Sequence, residues 1–223
     1  VIDAALAAGI TFFDTADMYG NGKSEEFLGE VLEGRRDRVL LATKFGGMAM
    51  AGNTGERWGS REFIRKAADA SLARLRTDRI DLYQMHYPDP KTPVAETLAA
   101  LAELVREGKL RAVGCSNFTG PQLDEAAACA GDPAAARFET AQNEWSLLKR
   151  DAEESVIPGC EKHGLAQLPY FPLASGLLTG KYKRGEVAPA GSRIAVMPYF
   201  KAAMSDANML KVDALQHFAI SRG

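Results

Sequence analysis

Four residues of complementary chemistry stand where predicted strands end. Asp14, Lys44 and His86 close three successive strands, and Tyr19 follows Asp14 in the next loop. Together they suit the reduction of a carbonyl. Hydride attack on the carbon leaves growing negative charge on the oxygen, which an acid must protonate or strongly polarise. Tyr19 can supply that hydroxyl. A free tyrosine has a pKa of about 10, and a neighbouring Lys44 ammonium is expected to favour the phenolate and lower it. Asp14 can hold Lys44 charged and in place, and His86 can donate to the substrate oxygen or assist Tyr19. Each residue also has an ordinary use: a turn or cap aspartate, a packed aromatic, a solvated lysine, a satisfied buried histidine.

Other chemistries fit less well. Gly20-Asn21-Gly22-Lys23-Ser24 resembles a phosphate loop, with a strand before it and Lys-Ser entering a helix. The full pattern needs a glycine where Asp17 stands, so Ser24 reads as a helix cap. A phosphate-loop NTPase is thus the alternative from a different enzyme class, without a clear second acidic position for Mg²⁺. No G-x-G-x-x-G is present, which argues against a dinucleotide-binding Rossmann unit. Cys115, Cys129 and Cys160 form no C-x-x-C and read as structural thiols. With His86, His163 and His217 they offer no metal-ligand grouping.

The elements that must position these residues alternate. Six strands are expected near residues 12, 41, 83, 113, 140 and 168. Helices are expected up to Gly9, over Ser24–Leu32, from a Ser60 cap to Leu75, and over Val94–Glu107, Pro121–Cys129, Ala152–Lys162 and Asp213–Ser221. The helix expected after Ser60 shows Phe63, Ala67, Ala70, Leu72 and Leu75 at helical spacings. Gly46–Gly59 reads as a long loop, Leu165–Phe171 as a strand interrupted by Pro169, and 183–209 as loop with a short helix. Regular strand–helix units predict a parallel sheet covered by helices, either a (β/α)8 barrel or a doubly wound sheet. Polar residues at the strand C-terminal ends (Asp14, Lys44, His86, Asn117, Asn143, Tyr170) favour the barrel, whose sites gather at that face.

Composition agrees with a packed domain. Hydrophobic residues make up 46% of 223, enough for a sizeable core. A net charge of -2 gives no basic nucleic-acid footprint. Apolar runs are too short for a membrane span, and no signal-peptide pattern opens the chain. A reducing cytoplasm is the expected location.

The motifs resemble the aldo-keto reductase superfamily. Asp14-Thr15-Ala16-Asp17-Met18-Tyr19-Gly20 is similar to its D-T-A-x-x-Y-G signature. Ala42-Thr43-Lys44, Asp81-Leu82-Tyr83-Gln84-Met85-His86, Gly114-Cys115-Ser116-Asn117-Phe118, Gln142-Asn143-Glu144 and the run from Tyr170 to Lys181 follow in the corresponding order. The likeness covers essentially the whole chain and is nearest the bacterial and potassium-channel β-subunit branch. It implies an α/β (β/α)8 TIM barrel, a catalytic tetrad of Asp14, Tyr19, Lys44 and His86, and NADP(H) or, less often, NAD(H) as cofactor. Tyr19 is then the acid in reduction and the base in alcohol oxidation. Ser116, Asn117 and Gln142 fall near the nicotinamide carboxamide, Tyr170 under its ring, and Pro172, Leu173, Gly176, Leu177 and Lys181 along pyrophosphate and ribose. Arg193 is a further cofactor-side candidate.

Substrate walls are expected from Met18, Trp58 and Tyr87, which suit an apolar or aromatic aldehyde without excluding sugar-like carbonyls. The expected partner is a small aldehyde or ketone, with neither nucleic acid nor membrane insertion. A cofactor-sensing or partner-binding subunit on the same fold is the alternative to a reductase. Members of the family begin one strand earlier and continue to an eighth strand and the loop that grips the adenosine 2′-phosphate. The chain is therefore expected to form one barrel domain over 1–223, lacking its first and C-terminal strands.

Overall fold

The computed structural model describes residues 1–52, 55–132 and 134–222. Positions 53 and 54 of the expected Gly46–Gly59 loop lie outside the described residues. The chain divides into two compact units: Val1–Gln142 with Val156–Leu168, and Asn143–Ser155 with Pro169–Gly223.

The first unit holds a six-stranded parallel sheet: β1 (Phe12–Asp14), β2 (Leu40–Phe45), β3 (Ile80–Met85), β4 (Leu110–Ser116), β5 (Phe138–Gln142) and β6 (Ala166–Gln167). Each strand pairs with the next in chain order. A doubly wound sheet reverses its strand order at a switch point, whereas a barrel sheet advances one strand at a time. The sequential order is the barrel order. Every residue of β3 is buried, as a parallel strand covered on both faces must be. The register pairs Asp14 with Ala42, Phe45 with Met85 and Ser116 with Gln142, so the C-terminal ends of these strands share one rim.

Nine α-helices connect or flank the strands among the described residues: α1 (Ile2–Ala7), α2 (Lys23–Val31), α3 (Gly47–Gly52), α4 (Arg61–Leu75), α5 (Val94–Arg106), α6 (Gly120–Ala128), α7 (Ala152–His163), α8 (Arg193–Val196) and α9 (Asp206–Ile220). Ser60 caps α4 as expected, its Oγ accepting from Phe63 N–H. The buried face of α4 is Ile64, Ala68, Ser71, Leu72 and Leu75, one position on from the expected Phe63–Ala67–Ala70 stripe. Ser24 is not a cap. Gly22, left-handed at φ 88°, precedes α2, and Ser24 Oγ accepts from Thr15 Oγ1 at 2.8 Å. The expected Gly46–Gly59 loop contains α3. The expected strand Leu165–Phe171 shortens to Ala166–Gln167 because Pro169 has no N–H for a ladder. Helix α9 starts at Asp206, seven residues before the expected Asp213, capped by Ser205, whose Oγ accepts from Asn208 N–H.

The second unit has its own core of Leu177, Tyr182, Ile194, Met209 and Val212. In it, Tyr170 N–H donates to Asn143 O at 3.1 Å. No helix among the described residues is long and apolar enough to cross a membrane.

Candidate active site

Strand β2 delivers Lys44 into the sheet interior, where the residue is fully buried. A buried ammonium is costly unless paired and hydrogen-bonded. Lys44 Nζ donates to Asp14 Oδ2 at 2.6 Å and to Thr15 O at 2.8 Å. Burial lowers the Lys44 pKa, and the Asp14 carboxylate opposes that fall. Asp14 is itself held from below. Gln84 Nε2 donates to Asp14 Oδ1 at 3.4 Å, and Thr140 Oγ1 donates to Gln84 Oε1 at 3.2 Å. Gly114 makes that chain of contacts feasible: a Cβ there would lie 2.1 Å from Thr140 Oγ1. Sequence reasoning placed Gln84 within the Asp81–His86 motif but gave it no role, since nothing local shows that its amide reaches Asp14. Its central place in β3 was the available signal.

Tyr19 sits on the turn after β1. Gly20, Asn21 and Gly22 follow it in left-handed conformations, at φ 59°, 56° and 88°. That run reverses the chain into α2 and explains the glycines without a phosphate. Lys44 Nζ lies 5.2 Å from the Tyr19 ring centroid, and the His86 ring meets Tyr19 edge-on at 6.0 Å and 84°. The hydroxyl is pushed up to about 12, first by desolvation and then by the Asp14, Tyr87 and Asp17 side chains. This reverses the expected lowering by Lys44. The lysine charge is taken up by Asp14, whose carboxylate disfavours a phenolate nearby. Tyr19 therefore keeps its proton at neutral pH.

His86 follows β3 and is 6% exposed. Its N–H donates to Phe45 O at 2.9 Å, and its carbonyl accepts from Asn117 Nδ2 at 2.9 Å. Burial and the Lys44 charge push its pKa down to about 4, so the ring is neutral at pH 7. Nδ1 is buried with no hydrogen-bond partner among the described residues. A Cβ on Gly47 would come within 2.7 Å of both this nitrogen and Met18 Sδ.

The expected carboxamide-binding residues also converge in the first unit. Ser116 Oγ donates to Gln142 O at 2.7 Å, and Asn117 N–H to the same oxygen at 3.1 Å. Asn117, left-handed at φ 61°, places Nδ2 3.1 Å from Ser116 Oγ. The wall candidates gather around His86. Tyr87 stacks on it at 4.8 Å with an interplanar angle of 6°, and Trp58 Nε1 donates to Tyr87 O at 2.9 Å. Met18 shares the Gly47 contact.

The remaining candidates belong to the second unit. Phe171, Ala174, Ser175 and Gly176 all have positive φ, which winds the Tyr170–Lys181 segment tightly. A Cβ on Gly176 would lie 3.2 Å from Lys181 Nζ. Leu177 is fully buried in that unit's core, whereas Leu173 is 54% exposed and Pro172 is exposed. Arg193 lies over the Phe171 and Phe200 rings at 5.6 and 5.5 Å. Among the described residues no group of His, Cys, Asp or Glu side chains could hold a metal ion.

A parallel sheet in barrel order, with a lysine–aspartate pair, a tyrosine and a histidine gathered at its C-terminal rim, defines an α/β-barrel fold. The chain belongs to the aldo/keto reductase family, whose sequence model matches residues 1–221. It is 43% identical to aldo-keto reductase YhdN of Bacillus subtilis (strain 168) over 182 residues, which is 81% of this chain and 53% of that protein. It is 37% identical to probable aldo-keto reductase 1 of Glycine max over 209 residues, covering 93% of this chain and 58% of the relative. The chain thus spans little more than half the length of these curated relatives. Among solved structures, the glycerol dehydrogenase AKR11B4 from Gluconobacter oxydans matches all of this chain and 67% of its own, with a TM-score of 0.79 and 35% identity.

Proposed function

We propose that the protein is an NAD(P)H-dependent reductase of aldehyde or ketone carbonyls, with Tyr19 as general acid. The observation that carries this reading is the buried Lys44, paired at 2.6 Å with the partly exposed Asp14, beside the ring of a protonated Tyr19, with neutral His86 edge-on to it. The neutral His86 ring polarises the substrate oxygen without adding a full charge. Tyr19 then gives its proton to the oxygen as negative charge develops there. The phenolate left behind is short-lived, because desolvation and the Asp14 carboxylate favour the protonated Tyr19; Asp14 keeps the Lys44 ammonium in place beside the ring. The phenolate recovers its proton from solvent. Alcohol oxidation is the same step reversed, with Tyr19 as base.

The residues present fit a nicotinamide cofactor. A carboxamide needs donors and acceptors together, and Ser116, Asn117 and Gln142 supply both, anchored to the His86 carbonyl through Asn117. When bound, the reduced nicotinamide supplies the hydride. In the second unit Tyr170, Pro172, Leu173, Gly176, Leu177, Lys181 and Arg193 are proposed as cofactor-binding residues, with Leu177 contributing only backbone because its side chain fills the core. Met18, Trp58 and Tyr87 are proposed as substrate walls, and their apolar faces favour an aromatic or aliphatic aldehyde.

The test is carbonyl-dependent loss of NADPH or NADH absorbance across a panel of aldehydes and ketones. Tyr19→Phe is expected to lower kcat by about 10²–10⁴-fold while nicotinamide binding, followed by fluorescence quenching, persists. Native-like turnover by the variant would remove Tyr19 from the acid role. Tight binding without turnover by the unaltered chain would support the sensing reading instead.

A further inference from the structure

We propose that Asp17 is a positioning residue that fastens the Tyr19 turn to the end of the strand carrying Lys44 and transmits its charge to both. The inference rests on the reductase reading only for its kinetic consequence. Asp17 is 8% exposed, two residues before Tyr19 in the chain. Its backbone N–H donates to Lys44 O at 3.1 Å. Its Oδ2 accepts from Gly46 N–H, also at 3.1 Å. The turn that bears Tyr19 is therefore clamped to β2 on both sides of Phe45, once through backbone and once through a side chain. Gly46, left-handed at φ 87°, is the residue at which the chain leaves β2, and it packs so closely on Trp58 that a Cβ would lie 2.8 Å from its ring. The clamp thus reaches a wall candidate as well as the acid.

The second carboxylate oxygen is available for a different task. Asp17 Oδ1 is buried with no hydrogen-bond partner among the described residues, and the side chain borders a cavity of about 240 Å³ shared with Lys66 and Arg74. A lone buried acceptor beside a cavity can take a proton. The charged and titratable groups facing Asp17 come from several elements: Glu25 on α2, Lys66 and Arg74 on α4, Tyr83 on β3, Lys44 on β2, Tyr19 on its own turn, and Glu56 across the cavity. Burial and the Glu25 carboxylate push Asp17 up to about 6, against hydrogen bonding from the Gly46 and Met18 backbone and the Arg74 charge. Its negative charge acts on Lys44 and Tyr19 in the same sense, holding the proton on each.

The test pairs two variants. Asp17→Asn keeps an oxygen for Gly46 N–H and removes the charge. Asp17→Ala removes both. Lys44 is followed by side-chain NMR titration in the unliganded chain, with its signal assigned by loss in Lys44→Met. In Asp17→Asn the Lys44 titration should move to lower pH. The kcat profile should lose an acid-side inflection near pH 6 and bring its basic limb downward. Asp17→Ala should lower kcat by roughly a hundredfold, more than Asp17→Asn does, with little change in nicotinamide affinity. An unmoved Lys44 titration in Asp17→Asn, or native kcat in Asp17→Ala, overturns the proposal. If Asp17→Ala does not fold, Asp17→Asn alone decides. If the unaltered chain turns over no carbonyl, the reductase reading fails while the Lys44 titration still reports the coupling.

Discussion

Asp17 and His86 titrate in opposite senses, and the consequence is measurable as stability. Asp17 rises from its ordinary 3.8 to about 6, so the folded state holds that proton more tightly than the unfolded state. Its contribution to stability is present at low pH and falls as pH climbs from about 4 to about 6. His86 falls from 6.5 to about 4, so its contribution is complete above 6.5 and is lost as pH drops toward 4. Each excursion is worth about 3 kcal/mol, and over the shared window they offset. Asp17→Asn should therefore steepen the loss of Tm on acidification from pH 6.5 to 4. His86→Gln should instead give a Tm that rises as pH falls through the same range. Calorimetric profiles that stay parallel to the native one would show that neither group is buried as described. The identities of Asp14, Tyr19, Lys44 and His86 could be read from the sequence because each ends or follows a strand. Their protonation states could not. The expected fall in the Tyr19 pKa became a rise because desolvation of the hydroxyl, with the Asp14 carboxylate adding to it, outweighs the Lys44 charge.

At the scale of elements, helix propensity and packing disagree at one position. Gly29 lies inside α2, where Ala is intrinsically better by about 1 kcal/mol. A Cβ there would lie 2.5 Å from Arg74 O and 2.7 Å from Leu75 C, both backbone atoms at the end of α4. A flexible side chain could yield, but a helix terminus cannot do so cheaply. Overpacking of this kind costs about 1–3 kcal/mol, so Gly29→Ala should lower stability in denaturant titration despite its better propensity. A higher midpoint would mean that α2 and α4 slide apart freely. The same pair of helices shows what local pattern can supply. The Ser60 cap and the extent of α4 were legible, because an N-cap serine acts within one turn. The buried face was displaced by one residue, because Ile64 and Phe63 are both apolar and only the partner element chooses between them. The Thr119–Gln122 capping box at α6 was overlooked, although its reciprocal bonds are local and its residue types were visible.

Across the sheet of the first unit, the proposed site and a cluster of stabilising ion pairs occupy opposite rims. At the N-terminal ends of the strands Asp81 is buried. It accepts from Arg36 NH2 at 2.5 Å, from Leu41 N–H at 2.9 Å and from Arg111 NH1 at 2.8 Å. One carboxylate thereby joins β2, β3 and β4. Removing it takes the carboxylate from Arg36, whose side chain is only 14% exposed and whose remaining partners Thr77 Oγ1, Val39 O and Arg79 O are neutral, and breaking such a pair costs about 3–5 kcal/mol. Asp81→Ala should lower Tm strongly while the folded fraction keeps its kcat, since barrel-type folds carry chemistry at the other rim. A fall in kcat without a fall in Tm would reverse that assignment. Asp81 belongs to the same short motif as His86, five residues on, and the sequence does not separate the residue that holds the sheet from the one proposed to face substrate.

The sequence by itself determined the alternation of strand and helix, the parallel sheet, the family and the residue types that gather at the rim. These follow from short-range preferences and from spacing, which act within a few residues. Only the tertiary structure decided that Gln84 and Thr140 support Asp14, that Gly114 makes room for them, and that Asp17 clamps the Tyr19 turn to β2. It also decided which groups are charged. Desolvation and Coulomb interaction sum over neighbours from many strands, and residues 30 or 70 positions apart contribute as strongly as adjacent ones.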